Sequence, residues 1–162
     1  MPFNITTCRD FYEKLKADFA DFAEAQDSAR LALNCIITAY HLHEWVWGNC
    51  LKTNHDKWKE LGIRDRDSFV AWIERECPAF TTVQDLANGT KHFFQQQDVE
   101  TRHIGGYGVG PYGVGPYGTS YLLIDYGADA GSQRYETAKD LIEAVITFWD
   151  NFFARHIPES QA

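Results

Sequence analysis

Two short stretches of the chain carry polar side chains where a helix would ordinarily bury apolar ones. They are Tyr40-His41-Leu42-His43-Glu44-Trp45 and Asp85-Leu86-Ala87-Asn88-Gly89-Thr90-Lys91-His92-Phe93. At about 3.6 residues per turn, His41, Glu44 and Trp45 share one helix face, and Asp85, Asn88 and His92 share a face of the other. Both stretches lie in apolar surroundings, so these groups are expected to face a packed interior and to need partners there. If the two helices are neighbours, imidazoles, carboxylates and an amide meet in one cluster.

Three kinds of chemistry fit such a cluster. In the first, His92 acts as general acid or base, with Asp85 and Asn88 beside it. In the second, His41, Glu44, Asp85 and His92 would ligate zinc, iron or manganese. The spacing argues against that metal set. His41 and His43 are two residues apart and cannot both face one ion, and Glu44 follows His41, the reverse of the carboxylate-x-x-histidine order of di-iron bundles. No cofactor is therefore expected. In the third, the same groups hydrogen-bond across two helices, fixing their register without any reaction.

The elements that must position these residues are helical. Thr7-Cys8-Arg9-Asp10 fits a capping box before Phe11, Leu15, Phe19 and Phe22, which predicts a helix over 8–25. Asp27 or Ser28 caps a second helix, apolar nearly all round, that carries Tyr40 to Trp47 and should stop at Gly48. A short helix is read over 56–61 before Gly62, another over 67–77 before Pro78, and the His92 helix over 80–93. Gly89 in the middle of that helix points to a close backbone approach. Thr137-Ala138-Lys139-Asp140 caps a final aromatic-rich helix that ends near His156.

Between the last two helices the chain changes character. Residues 105–118 read GGYGVGPYGVGPYG, with YGVGP twice in tandem. Glycine and proline at this density exclude helix, while the flanks 99–104 and 121–126 are strand material, so a β-hairpin with a long Gly/Tyr tip is expected. Tyr107, Tyr112 and Tyr117 recur every five residues. They could bind or stack on a ligand as a lid, or simply pack over the helices and cover the polar cluster.

The segment Ala87-Asn88-Gly89-Thr90-Lys91-His92 resembles the signature of the HEPN superfamily of small helical bundles. Nuclease members of that family carry an arginine, then a polar residue, then a histidine four positions later. Asn88 and His92 stand at the polar and histidine positions, and Ala87 stands where the arginine would be. HLHEW followed by DLANGTKHF is further similar to a set of small bacterial proteins built on this pairing. The resemblance implies an all-α bundle, often dimeric, with the motif helices facing each other across a two-fold axis. It also implies metal-free cleavage of RNA through the ribose 2′-hydroxyl, with His92 as acid or base and Asn88 orienting it or the substrate. The missing arginine removes the expected stabiliser of phosphoryl charge, a part open to Arg102 or Lys91.

Composition sets the remaining bounds. A chain of 162 residues with 44% hydrophobic and 15% aromatic residues can bury a real core as one domain, residues 1–162, with 99–126 as the hairpin insertion. A formal charge of −8 disfavours non-specific nucleic-acid binding but leaves room for a local positive pocket. Cys8, Cys35, Cys50 and Cys77 form no CxxC pair, no secretory signal is read, and no apolar run approaches the roughly 18 residues that span a bilayer. A soluble, reduced, cytoplasmic protein without membrane association follows. Five tryptophans and eleven phenylalanines exceed what a lone bundle needs inside, which points to a homodimer through the last helix or the His92 helix.

The expectation is a mainly α, HEPN-like up-and-down bundle of four main helices plus a short one, with the hairpin inserted before the last helix. Its function is a metal-free ribonuclease or a non-catalytic relative, or alternatively a small-ligand or metal-binding bundle, or an interaction protein. RNA or a small ligand is the expected binding partner beyond a second copy.

Overall fold

The computed structural model describes residues 2–92, 99–106 and 108–159, and side-chain packing at 3–89, 99–106 and 108–159. The chain is mainly helical, with one small antiparallel sheet. The helices are α1 (Cys8–Glu24), α2 (Ala29–Val46), α3 (His55–Leu61), α4 (Arg66–Glu76), α5 (Ala79–His92) and α6 (Ala138–His156). These six match the six helical ranges read from the sequence one for one, so the summary of four main helices plus a short one counted one main helix too few. Among these residues no helix is long and apolar enough to cross a membrane.

Local chemistry sets most of the boundaries. Thr7 and Asp10 form the reciprocal capping box: Thr7 Oγ1 accepts from Asp10 N at 3.1 Å, and Asp10 Oδ2 accepts from Thr7 N at 2.8 Å. Of the two candidate caps for α2, Ser28 serves, accepting from Leu31 N at 3.3 Å. Gly62 takes the left-handed conformation, φ 70°, that closes α3. Thr137 caps α6 by accepting from Asp140 N at 3.0 Å.

Gly48 does not stop α2. The chain continues as a π-helical turn over Trp47–Leu51, in which Lys52 N donates to Trp47 O at 2.8 Å. Tertiary contacts override the glycine. Trp47 stacks on Trp58 with centroids 5.4 Å apart, Trp58 Nε1 donates to Leu51 O at 2.7 Å, and Asn49 Oδ1 accepts from Cys8 N at 3.0 Å.

α6 is the central element. Leu141, Ile142, Val145, Trp149, Phe152 and Phe153 are buried, and the helix packs against α1, α2, α5 and the middle strand. The large aromatic content is thus used inside: Trp149 is fully buried, and Trp45, Trp47, Trp58 and Trp72 pack against the core. Among the described residues the exposed large aromatics are Phe3, Tyr112 and Tyr117. Among the described residues, most of the aromatic surplus that pointed to a dimer through the last helix or the His92 helix packs against the core of one chain.

Strands β1 (Glu100–Gly105), β2 (Ser120–Asp125) and β3 (Tyr135–Thr137) pair antiparallel in the order β1-β2-β3. Gly105 faces Ser120 and Glu100 faces Asp125, so the Gly/Tyr tract forms the link between β1 and β2. That tip folds onto its own sheet. Tyr121 Oη donates to Val114 O at 2.9 Å, and a Cβ on Gly115 would fall 2.5 Å from the Tyr121 ring. Only glycine permits this approach at φ +76°. Tyr112 and Tyr117 project outward, 105% and 84% exposed, and do not pack over the helices as expected. Tyr107 lies outside the described residues.

Candidate functional site between α2, α5 and the sheet

α2 and α5 are in contact, and they run antiparallel. Late in α2, the rings of Tyr40 and His43 meet Phe80 at the start of α5, with centroids 6.1 and 5.7 Å away. Early in α2, Ala29, Ala32, Leu33 and Ile36 share one cavity with Leu86 and Gly89 of mid-α5. His43 is the buried imidazole of this contact, 3% exposed. Its Nδ1–H donates to the Tyr40 carbonyl, and burial lowers its pKa, so it is a neutral core histidine.

The antiparallel crossing separates the residues that the sequence brought together. His41 and Glu44 pair with each other at 3.1 Å on an exposed face, their side chains 42% and 46% accessible. They lie near the Phe80 end of α5. His92 is twelve residues further along that helix, roughly 18 Å at 1.5 Å per residue. Among the described residues no group of three or more histidines, cysteines or acids is placed to share a metal ion. His41 and Glu44 thus lie at the Phe80 end of the helix pair and the His92 backbone at the other, with Asp85 between them on α5. The α5 backbone stays helical through His92, while the side chains of Lys91 and His92 lie outside the described residues.

Asp85 and Asn88 are half-buried. Asp85 Oδ2 is shielded from solvent and has no hydrogen-bond partner among the described residues, and this burial raises its carboxyl above the ordinary range. The carboxylate thus sits in a site that favours its protonated, hydrogen-donating form. Asp85 precedes Gly89 by one turn on the same helix face.

Gly89 borders a partly open cavity of about 320 Å³ bounded by α2, α5, β1, β2 and the start of α6. The described residues lining it are Ala29, Ala32, Leu33, Ile36, Leu86, Leu122, Ile124 and Ala138, together with the polar Thr101. Alanine and glycine along this line leave volume that larger side chains would fill. No described residue of the Gly/Tyr tip lines it; described tip residues and Tyr121 border a separate concavity.

The sequence reading missed the strongest charge cluster. Asp125, 2% exposed, accepts from Arg134 Nε at 2.8 Å, Arg134 Nη2 at 3.0 Å, Arg102 Nη2 at 2.6 Å and Gly127 N at 2.9 Å. Arg134 and these donors hold its pKa down to about 2. Arg102 also reaches Glu100 at 3.1 Å, so its charge is already engaged, which weakens it as a substitute for the missing arginine. The available signal was an aspartate at the end of an apolar strand with arginines on both flanking segments. The chain matches no protein-family model, no curated protein and no solved structure.

Proposed function

We propose that this chain is a helical binding domain that takes a small, mainly apolar molecule between α2, α5 and the sheet. The observation that carries the reading is the cavity of about 320 Å³ with apolar walls, a volume within the range of small-ligand sites. Asp85 adds the polar element. Its shielded Oδ2 has no partner among the described residues, and a ligand hydroxyl, amide or carbonyl reaching the Gly89 turn would supply one. A protonated Asp85 donates to a ligand oxygen, and an ionised one accepts from a ligand hydrogen.

Ala29 lies at the rim, exposed and still lining the cavity, so Ala29→Trp closes the mouth without changing the core. Thermal denaturation with indole, benzyl alcohol and decanoic acid is expected to raise the melting temperature of the native chain by linkage, with no shift for Ala29→Trp. Equal shifts in both proteins would place binding elsewhere and end the reading. Deleting the tip, residues 108–117, should leave these shifts unchanged, since none of its described residues lines the cavity.

The metal-free ribonuclease reading rests on a different observation. α5 is continuous from Asp85 to His92, which keeps Asn88 and His92 on one face as the resemblance requires. Cleavage of a single-stranded oligoribonucleotide in chelator, lost in a folded His92→Ala variant, would support it. An equally active variant, or an inert native chain, would remove it.

A further inference from the structure

Cys8 and Cys50 are 42 residues apart in sequence, yet their Sγ atoms lie 3.0 Å apart. That separation is roughly 1 Å longer than the ~2.05 Å of a disulfide bond. The contact is built from two sides. Cys8 is the first residue of α1, fixed by the Thr7–Asp10 capping box, while Cys50 sits in the π-helical turn that extends α2 past Gly48. Asn49 Oδ1 accepts from Cys8 N at 3.0 Å and pins the turn to the start of α1. A regular end to α2 at Gly48 would not carry Cys50 to this point. π-turns of this kind recur at functional positions.

We infer that Cys8 and Cys50 form a two-cysteine redox site that closes to a disulfide when the chain meets hydrogen peroxide and reopens by exchange with an external dithiol. Cys50 is the half-exposed member and Cys8 is 1% exposed, so Cys50 meets the oxidant and Cys8 resolves the product. The two thiols share one proton in the Sγ–Sγ contact, which raises the Cys8 pKa and lowers that of Cys50, and Arg9 nearby favours a thiolate at either sulfur.

The Cys50 thiolate attacks one peroxide oxygen. The S–O bond forms, the O–O bond breaks, and the departing hydroxide takes a proton to leave as water. Cys8 sulfur then attacks the sulfur of the Cys50 sulfenic acid. The S–S bond forms and the S–O bond breaks, and the hydroxyl leaves as a second water with the Cys8 proton. Two thiols are oxidised and one peroxide is reduced to two waters. Cys35 and Cys77 serve as internal controls: both are buried, burial pushes the Cys35 thiol up to about 12, and it raises Cys77 as well.

The test is intact-mass and peptide mapping of the reduced full-length chain after brief treatment with hydrogen peroxide, followed by alkylation in denaturant. The expected result is a loss of two hydrogens, a Cys8–Cys50 linked peptide, alkylated Cys35 and Cys77, and full reversal by dithiothreitol. Cys8→Ser should stall at a Cys50 sulfenic acid that dimedone captures, and Cys50→Ser should slow thiol loss roughly tenfold or more. Four alkylated thiols under these conditions, a link between different chains, or Cys50 sulfinic acid with Cys8 still free would overturn the proposal. The native-chain result stands whether or not either serine variant folds.

Discussion

Asp125 and Asp85 are two acids in the same chain, shielded in opposite ways. Asp125, at the end of β2, spends both oxygens on two arginines and a backbone N–H, and its pKa falls from 3.8 to about 2. Asp85, on α5, has an oxygen with no partner among the described residues, and its pKa is raised by burial alone. The first arrangement is what a fold needs from a charge it encloses. The second leaves an oxygen one turn from an apolar cavity without a partner among the described residues, which costs stability. The difference is between a charge the fold satisfies and one that, on the function proposed above, a ligand would satisfy.

The comparison breaks most sharply at Asp125. Asp125→Ala removes the carboxylate partner of Arg134 and leaves Arg102 with Glu100, and should give the largest fall in melting temperature. The acid limb of stability follows from the same pairings. A carboxyl with a depressed folded pKa stabilises above its unfolded value and loses that contribution as pH falls. Stability should therefore drop between about pH 3.8 and pH 2 in denaturant titrations, and Asp125→Asn should flatten that limb.

Asp85 should behave with the opposite sign. Its folded pKa is raised, so ionising it at neutral pH costs stability, and the cost disappears as pH falls through the folded value. Asp85→Asn is expected to stabilise the ligand-free chain at neutral pH by up to about 1 kcal/mol, read from chemical denaturation. A clear loss of stability would show that the carboxylate is held by a partner and is structural. The smallest effect belongs to Glu44→Ala. Its ion pair with His41 is exposed, and the change should stay within about 0.5 kcal/mol.

Much of the fold was legible because its boundaries obey local rules. Thr7 with Asp10, Thr137 before the last helix and Gly62 in the left-handed region act through neighbours three or four residues away. Gly48 was misread for the converse reason: Trp58 and the start of α1 hold the turn past it, and neither is local to the glycine. His41 and Glu44 were expected to face a packed interior and lie exposed instead, because periodicity carries no information about how two helices cross. The antiparallel contact through Phe80 sends His41 and His92 to opposite ends, and it turns Glu44 toward solvent. Asp125 with Arg134, and Cys8 with Cys50, were invisible because each meeting depends on tertiary placement.

The most direct test of the cavity as a ligand site is a fluorescence titration of the neutral probe phenylnaphthylamine into the native chain and into Ala29→Trp. The account predicts saturable binding at one probe per native chain, with blue-shifted emission, and its loss in the variant. Binding of equal strength in both proteins, or none in the native chain, would contradict it.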